Sequence, residues 1–140
     1  MRKASLVLAM LAGPMLAVAP AAANPSGDWM TPEGKSRVRV TPCGQGVCAT
    51  IVWLKEPNGA NGAPKRDIHN QDASRRGRAI VGLALMSGMT PDGPDKWKGR
   101  IYNPEDGKTY RATMELSGDR LDVSGCVAVF CKSQVWRRAN

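Results

Sequence analysis

The chain has 140 residues, of which 23% are charged, a formal net charge of +8 and four cysteines. That length suits one domain around one modest core and excludes a multidomain architecture. The basic residues are spread along the chain, so the charge reads first as solubility and not as a polyanion-binding block. A basic surface also admits anionic partners, such as lipid headgroups, lipopolysaccharide phosphates or peptidoglycan carboxylates.

Residues 1–23 read as a secretory signal. Arg2 and Lys3 supply a positive start, and 5–19 is an apolar run broken at Gly13-Pro14. The run is too short and interrupted for a stable membrane span. Ala21-Ala22-Ala23 gives a small-x-small cleavage pattern, so the cut is expected after Ala23. Residue 24 is Asn24, not the cysteine a lipoprotein needs, and Arg2-Lys3 is not a twin-arginine pair. The expected location is therefore periplasmic or secreted. Removing 23 of the 140 residues leaves a single domain of 117, residues 24–140, and loss of Arg2 and Lys3 takes the charge from +8 to +6.

Export would place Cys43, Cys48, Cys126 and Cys131 in an oxidising compartment, where an even count reads as disulfides. Four cysteines allow three pairings. The spacings C-G-Q-G-V-C and C-V-A-V-F-C leave four residues inside each set. Local pairs Cys43–Cys48 and Cys126–Cys131 would staple two tight connections. Such short loops put each bridge at the low end of roughly 2–4 kcal/mol. A four-thiolate zinc site is the competing reading, but zinc pairs usually sit closer and exported thiols rarely stay reduced. No metal or cofactor is expected.

Strands are expected in chain order as follows. The first, 27–31, is G-D-W-M-T, turned by Pro32-Glu33-Gly34-Lys35. The second, 36–41, sets Val38 and Val40 against Arg37 and Arg39, the period of a half-buried strand. The third, 47–54, carries A-T-I-V-W-L, residues that fit a pleated surface. A connection at 55–78 then holds six basic and three acidic residues. Loops of that length are usually functional or disordered. One helical turn is expected within 67–75. The fourth strand is placed at 79–87, A-I-V-G-L-A-L-M-S, with Gly82 and the Gly-Pro-rich flanks arguing against a helix.

The fifth and sixth strands, 96–102 and 108–116, flank N-P-E-D-G-K. Asn103-Pro104 begins the bend, and Asp106-Gly107 supplies the positive φ that closes a hairpin. The seventh strand is 120–127 and the eighth 132–138, the latter holding Val135 and Trp136. Eight short strands with no convincing long helix suggest a sandwich or an up-and-down barrel. An eight-stranded antiparallel barrel is preferred. It removes exposed edges and is just wide enough to be filled by side chains or to hold one small ligand.

Gly27-Asp28-Trp29 on the first strand and Trp136-Arg137-Arg138 on the last resemble the lipocalin and calycin arrangement. The resemblance implies a barrel floor of Trp29, Trp136 and Arg137, with a guanidinium stacked on a tryptophan. A closer resemblance covers nearly the whole exported chain. G-D-W at 27–29, C-A-T-I-V at 48–52, D-I-H-N at 67–70 and R-x-I-V-G-L at 78–83 carry part of it. W-K-G-R-I-Y-N-P-E-D-G-K-T-Y at 97–110 and G-C-x-x-x-x-C-x-S-Q-x-W at 125–136 carry the rest. These residues are similar to an exported bacterial family known as domain of unknown function 2147. The resemblance implies a lipocalin-like barrel with no assigned chemistry. Lipocalins carry their long loop between the first two strands; here it falls between the third and fourth.

Asp67, His69, Asn70 and Asp72 form the only polar cluster that could pass for chemistry. His69 is the only histidine, so no second imidazole can join it. Asp67 and Asn70 fit loop structure better, through bonds to nearby backbone. Arg75, Arg76 and Arg78 sit where the loop enters the fourth strand. With Asp67 and Asn70 they are the candidate ligand-binding rim, able to hold a carboxylate or phosphate by forked hydrogen bonds. The bland alternative is solvated charge. Glu105 and Asp106 are adjacent turn residues, not the opposed pair a glycosidase needs. There is no G-x-S-x-G elbow and no phosphate loop. Ring and charge alternate in Trp97-Lys98 and Tyr110-Arg111, so strand faces would separate them, and nucleic acid is not an expected partner. Trp29, Trp53, Trp97 and Trp136 read as core and plugs, and Met30, Met86, Met89 and Met114 as gap fillers or pocket lining.

The expectation is thus an exported, disulfide-bonded, non-catalytic barrel. It would hold a small apolar or amphiphilic ligand, lipid-like or anionic, with the arginine-rich loop as lid or headgroup clamp. The alternative is a protein-interaction module acting on an envelope protein, such as an inhibitor of a cell-wall hydrolase. An open interior favours the first and a plugged one the second.

Overall fold

Val38 and Val40 are buried while Arg39 between them is exposed, and the same period of two sets the inner and outer faces along the strands running 36–43, 108–117 and 120–127. A computed structural model describes residues 4–5, 9–16 and 24–139. The charged start at Arg2-Lys3 and the cleavage point after Ala23 lie outside them. Among the described residues no helix is long and apolar enough to cross a membrane.

Eight antiparallel strands close into a barrel in sequential order. They are β1 (Gly27–Met30), β2 (Ser36–Cys43), β3 (Gly46–Leu54), β4 (Ala84–Pro91), β5 (Lys96–Asn103), β6 (Lys108–Ser117), β7 (Arg120–Val127) and β8 (Phe130–Ala139). The ring closes between β1 and β8, where Trp29 lies opposite Arg138. Strand alternation then defines two ends. The β2–β3, β4–β5 and β6–β7 turns lie at one end, the floor. Segments 31–35, 55–83, 104–107 and 128–129 lie at the other, the mouth. The disulfides are Cys43–Cys48 at the floor and Cys126–Cys131 at the mouth, and they pair all four cysteines.

The core is a column of inward side chains from all eight strands, including Trp29, Trp97, Trp136, Met86, Met89, Met114, Leu121 and Val123. Trp53 departs from the expected set of four core tryptophans. It sits on the outer face of β3, 42% exposed, with the Arg37 guanidinium 6.0 Å from its ring.

The fourth strand is also displaced. It was expected at 79–87 and runs Ala84–Pro91. Gly82 has a φ of +97°, which breaks an extended run. Ile80 and Leu83 still enter the core, but from the loop. Met89 instead takes a strand position and is completely buried. Its place depends on two bare neighbours. A Cβ at Gly46 would lie 1.8 Å from the Met89 carbonyl oxygen, and one at Gly99 would lie 2.6 Å from its sulfur.

Candidate functional site

β4 and β5 pair only at Thr90–Lys98 and Pro91–Trp97. Beyond that point segment 55–83 patches the wall. Its residues 82 and 83 bond to Ile51 of β3 in both directions. Arg66 bridges to Ala79, and Ile80 N–H donates to the Lys65 carbonyl. On the β5 side the patch is fastened by one carboxylate.

Asp67 is completely buried. It accepts from Tyr102 Oη at 2.5 Å, Arg78 Nη2 at 2.8 Å and Asn70 Nδ2 at 2.9 Å. Burial works to raise its pKa, but the bonds from Tyr102, Arg78 and Asn70 outweigh it and hold the carboxyl below its ordinary value. Burial, and then the bond to the charged Asp67, push the Tyr102 phenol up. The neighbouring arginines complete the same structure. Arg76 Nε donates to the Asn70 carbonyl at 2.8 Å, and Arg75 lies 3.5 Å from Asp72. Asp72 caps a short 3-10 turn, Ala73–Arg75, which is the single turn expected in this region. The loop is therefore a rigid wall.

Gly107 adds a second fastening. It closes the β5–β6 turn at a φ of +71°, and a Cβ there would lie 1.8 Å from the His69 carbonyl oxygen. D-I-H-N and N-P-E-D-G-K-T-Y thus press on each other at one spot.

The candidate rim residues divide accordingly. Asp67 faces no solvent. Arg75, Arg78 and Asn70 line a shallow outer recess of about 630 Å³ with Tyr102, Lys108 and Val127. None of Asp67, Asn70, Arg75, Arg76 or Arg78 lines the main cavity.

That cavity measures about 1320 Å³ and opens at the mouth. Its inner end is formed by the half-buried Ile101 and by Ile51, Leu85, Val123 and Trp136, which are packed in the core, and its outer part by polar and charged residues including Glu56, Lys65, Arg66 and Glu105. Tyr110, Lys132 and Gln134 line its upper wall, and Gln134 Oε1 accepts from Trp136 Nε1 at 2.8 Å. The Tyr110 hydroxyl donates to Asp106. No residue of this upper wall was an expected site residue. Parity would have found two of them, because 132 and 134 share the inner face with Trp136. Among the described residues, no group of three or more His, Cys, Asp or Glu side chains gathers to hold a metal.

The floor holds one further correction. The guanidinium over Trp29 belongs to Arg138, 4.3 Å from the ring, and not to Arg137. Arg138 Nη1 also donates to the Ser26 carbonyl, and Trp29 Nε1 to that of Pro25. Arg137 faces outward, opposite Arg120. The reason is again parity: Trp136 points in, so its immediate neighbour points out.

Residues 27–138 match the family described as uncharacterized protein conserved in bacteria (DUF2147). The chain belongs to this family. Its fold also resembles a solved structure, protein HP1028 from the human pathogen Helicobacter pylori, described as belonging to the lipocalin family. The TM-score is 0.71, with 22% identity and 82% of each chain covered. At that identity the likeness establishes a shared fold, and this DUF2147 chain is a lipocalin-like barrel. No curated protein matches it.

Two substitutions separate the roles at the floor of the DUF2147 barrel. Arg138→Met removes the stacked cation and the bond to Ser26, and is expected to cost about 1–2 kcal/mol. Arg137→Met is expected to stay within about 0.5 kcal/mol of wild type, as exposed positions do. Urea unfolding followed by tryptophan fluorescence measures both. Equal losses would remove the distinction.

Proposed function

We propose that the protein is an exported, non-catalytic carrier that holds one amphiphilic molecule in the barrel. The cavity of about 1320 Å³ at the mouth, apolar at its inner end and charged at its rim, is the observation that supports this most directly. It exceeds the roughly 300–1,000 Å³ typical of drug-sized sites. An apolar chain would enter from the mouth and end against Ile101 and Leu85, where the packed core begins. A polar head would then meet Lys132, Tyr110 and Gln134 near the mouth. Lys132 shares the cavity lining with Lys55, Lys65 and Arg66 of the long loop, and none of the four makes an ion pair among the described residues, so an anionic head is the best match even beside the acidic Glu56 and Glu105 of the same rim. The headgroup contact thus moves away from Arg75, Arg76 and Arg78 to Lys132 on β8 and Lys65 and Arg66 on the loop. Two disulfides support an oxidising compartment. Between the two sequence-based expectations, an open interior favours the carrier over the hydrolase inhibitor.

Gly125 offers a clean test. It lines the cavity, and the nearest atoms to a Cβ there belong to Tyr110 and Ile101, at 3.5 Å and beyond, ordinary contact distances. Gly125→Phe is therefore expected to fill the lumen and leave the fold intact. Native mass spectrometry of wild-type protein from its own compartment is expected to show a bound mass that the variant lacks. A panel of fatty acids and phospholipids is expected to raise the wild-type melting temperature only. If wild type carries nothing and no lipid moves its melting temperature, the carrier reading fails.

A further inference from the structure

The segment between Cys126 and Cys131 is V-A-V-F, four apolar residues in a row at the tip of the β7–β8 hairpin. A hairpin that packed on the core would bury half of them. This one buries none. Val127 is 57% exposed, Val129 87% and Phe130 79%. Phe130 is the only phenylalanine in the chain. A large apolar tip held in water is unfavourable unless something covers it. The Cys126–Cys131 bridge crosses its base, with Cα atoms 4.1 Å apart, so the tip cannot fold back to bury itself without opening the hairpin.

The tip is ringed by cations. Arg111 donates from Nη2 to the Ala128 carbonyl, and Lys132 follows Cys131 directly. Lys108 shares the shallow outer recess with Val127, where Arg75 is paired with Asp72. Ile68, 64% exposed, lies on the long loop at the same end of the barrel. A few projecting apolar side chains above a basic collar match a bilayer of anionic phospholipid. The apolar groups enter the headgroup–acyl boundary and the cations meet phosphates. A standard protein interface covers roughly 800 Å² per partner, broader than the few side chains of a hairpin tip provide.

We infer that the β7–β8 tip is a membrane-docking finger that seats the barrel mouth against an anionic lipid surface. The inference stands on the tip and its collar, and does not need the cavity to hold a ligand. Seated this way, the mouth faces the bilayer, the route an amphiphile would take in or out.

Flotation with vesicles tests it on the full exported chain, residues 24–140. Wild type is expected to float with phosphatidylcholine vesicles containing phosphatidylglycerol, to float less with phosphatidylcholine alone, and to be released by salt. The double variant Val129→Ser, Phe130→Ser is expected to lose at least about tenfold in partitioning. Its melting temperature is expected to match wild type, because neither side chain packs on the core. Arg111→Gln and Lys108→Gln are each expected to lose about fivefold. In a third arm, Phe130→Trp is expected to show a blue-shifted emission increment when anionic vesicles are added. Absence of flotation, or flotation that the double variant retains in full, overturns the inference. So does tip-dependent capture of an envelope protein by a chain that ignores vesicles, which would make the finger a protein contact.

Discussion

Replacing Asp67 with alanine is expected to destabilise the protein by about 3 kcal/mol, or roughly 12 °C in melting temperature for a domain of this size. The cost comes from what is left behind. Asn70, only 8% exposed, and the part-buried Tyr102 hydroxyl lose the acceptor they share. Arg78 keeps 42% of its side chain in water, so solvent replaces the carboxylate there and its share is small. Asp67→Asn preserves shape but turns an amide N–H toward existing donors, and about 2 kcal/mol is expected. The pH dependence carries a definite sign. The folded Asp67 pKa is lower than that of an unfolded aspartate. Its contribution is complete above the unfolded value, roughly 4. It disappears as pH falls through the lower folded value. The stability gap between wild type and Asp67→Asn should therefore be constant from pH 7 down to about 5 and close in stronger acid. Urea titrations at pH 7, 5, 3 and 2 measure it. A gap that is unchanged at pH 2 would mean that the carboxylate's charge contributes nothing.

Loss of Asp67 acts first on the wall patch, because the barrel's hydrogen-bonded ladder does not run through it. The loop carries Lys65, Arg66, Arg75 and Arg76. Trypsin is therefore expected to cut within 55–83 in Asp67→Ala under conditions where β5 to β8 stay intact. Cleavage spread evenly over the chain would indicate global unfolding instead.

Residues whose neighbours in sequence determine their setting were legible in the sequence. Val38 and Val40 alternate against arginines, Asp106-Gly107 closes a hairpin, and both cysteine pairs are local. Eight short strands between turn signals pointed to the barrel, and the family motifs agreed with it. What was missed depends on contacts distant in sequence. Met89 lies in a stretch of glycines and prolines that reads as a turn. It becomes strand and core because Gly46 and Gly99, on two other strands, leave space for it. The apolar run at Ile80 reads as strand, but Gly82 bends it and the loop inserts it piecewise. Tyr102 gave no signal, since its partner lies 35 residues away. Arg138 did give one: counting by twos from Trp136 reaches 138 and passes over 137. Trp53 could not be read in this way, because a bulge between Arg37 and Val38 resets the register beside it.

Gly107→Ala is expected to do as much damage as Asp67→Ala, by a different route. A φ of +71° costs an alanine roughly 1–2 kcal/mol by itself. The larger effect is steric. The atom 1.8 Å from the new methyl is the His69 carbonyl oxygen, and the carbonyl carbon behind it is at 2.6 Å. Backbone cannot swing aside as a flexible side chain can, so segment 69–70 must move away from the turn. Asn70 moves with it, and Asn70 bonds to both Asp67 and Tyr102. A total of about 3 kcal/mol or more is expected. The two substitutions therefore release the same patch. Once either has freed it, the other has less to break. The double variant is expected to fall short of the summed single losses by more than the roughly 0.5 kcal/mol seen for independent sites. Full additivity would mean that the turn and the carboxylate fasten the loop separately. A shortfall, with trypsin cutting the same loop in both single variants, would show that D-I-H-N and N-P-E-D-G-K-T-Y form one clasp closing the barrel wall beside the cavity.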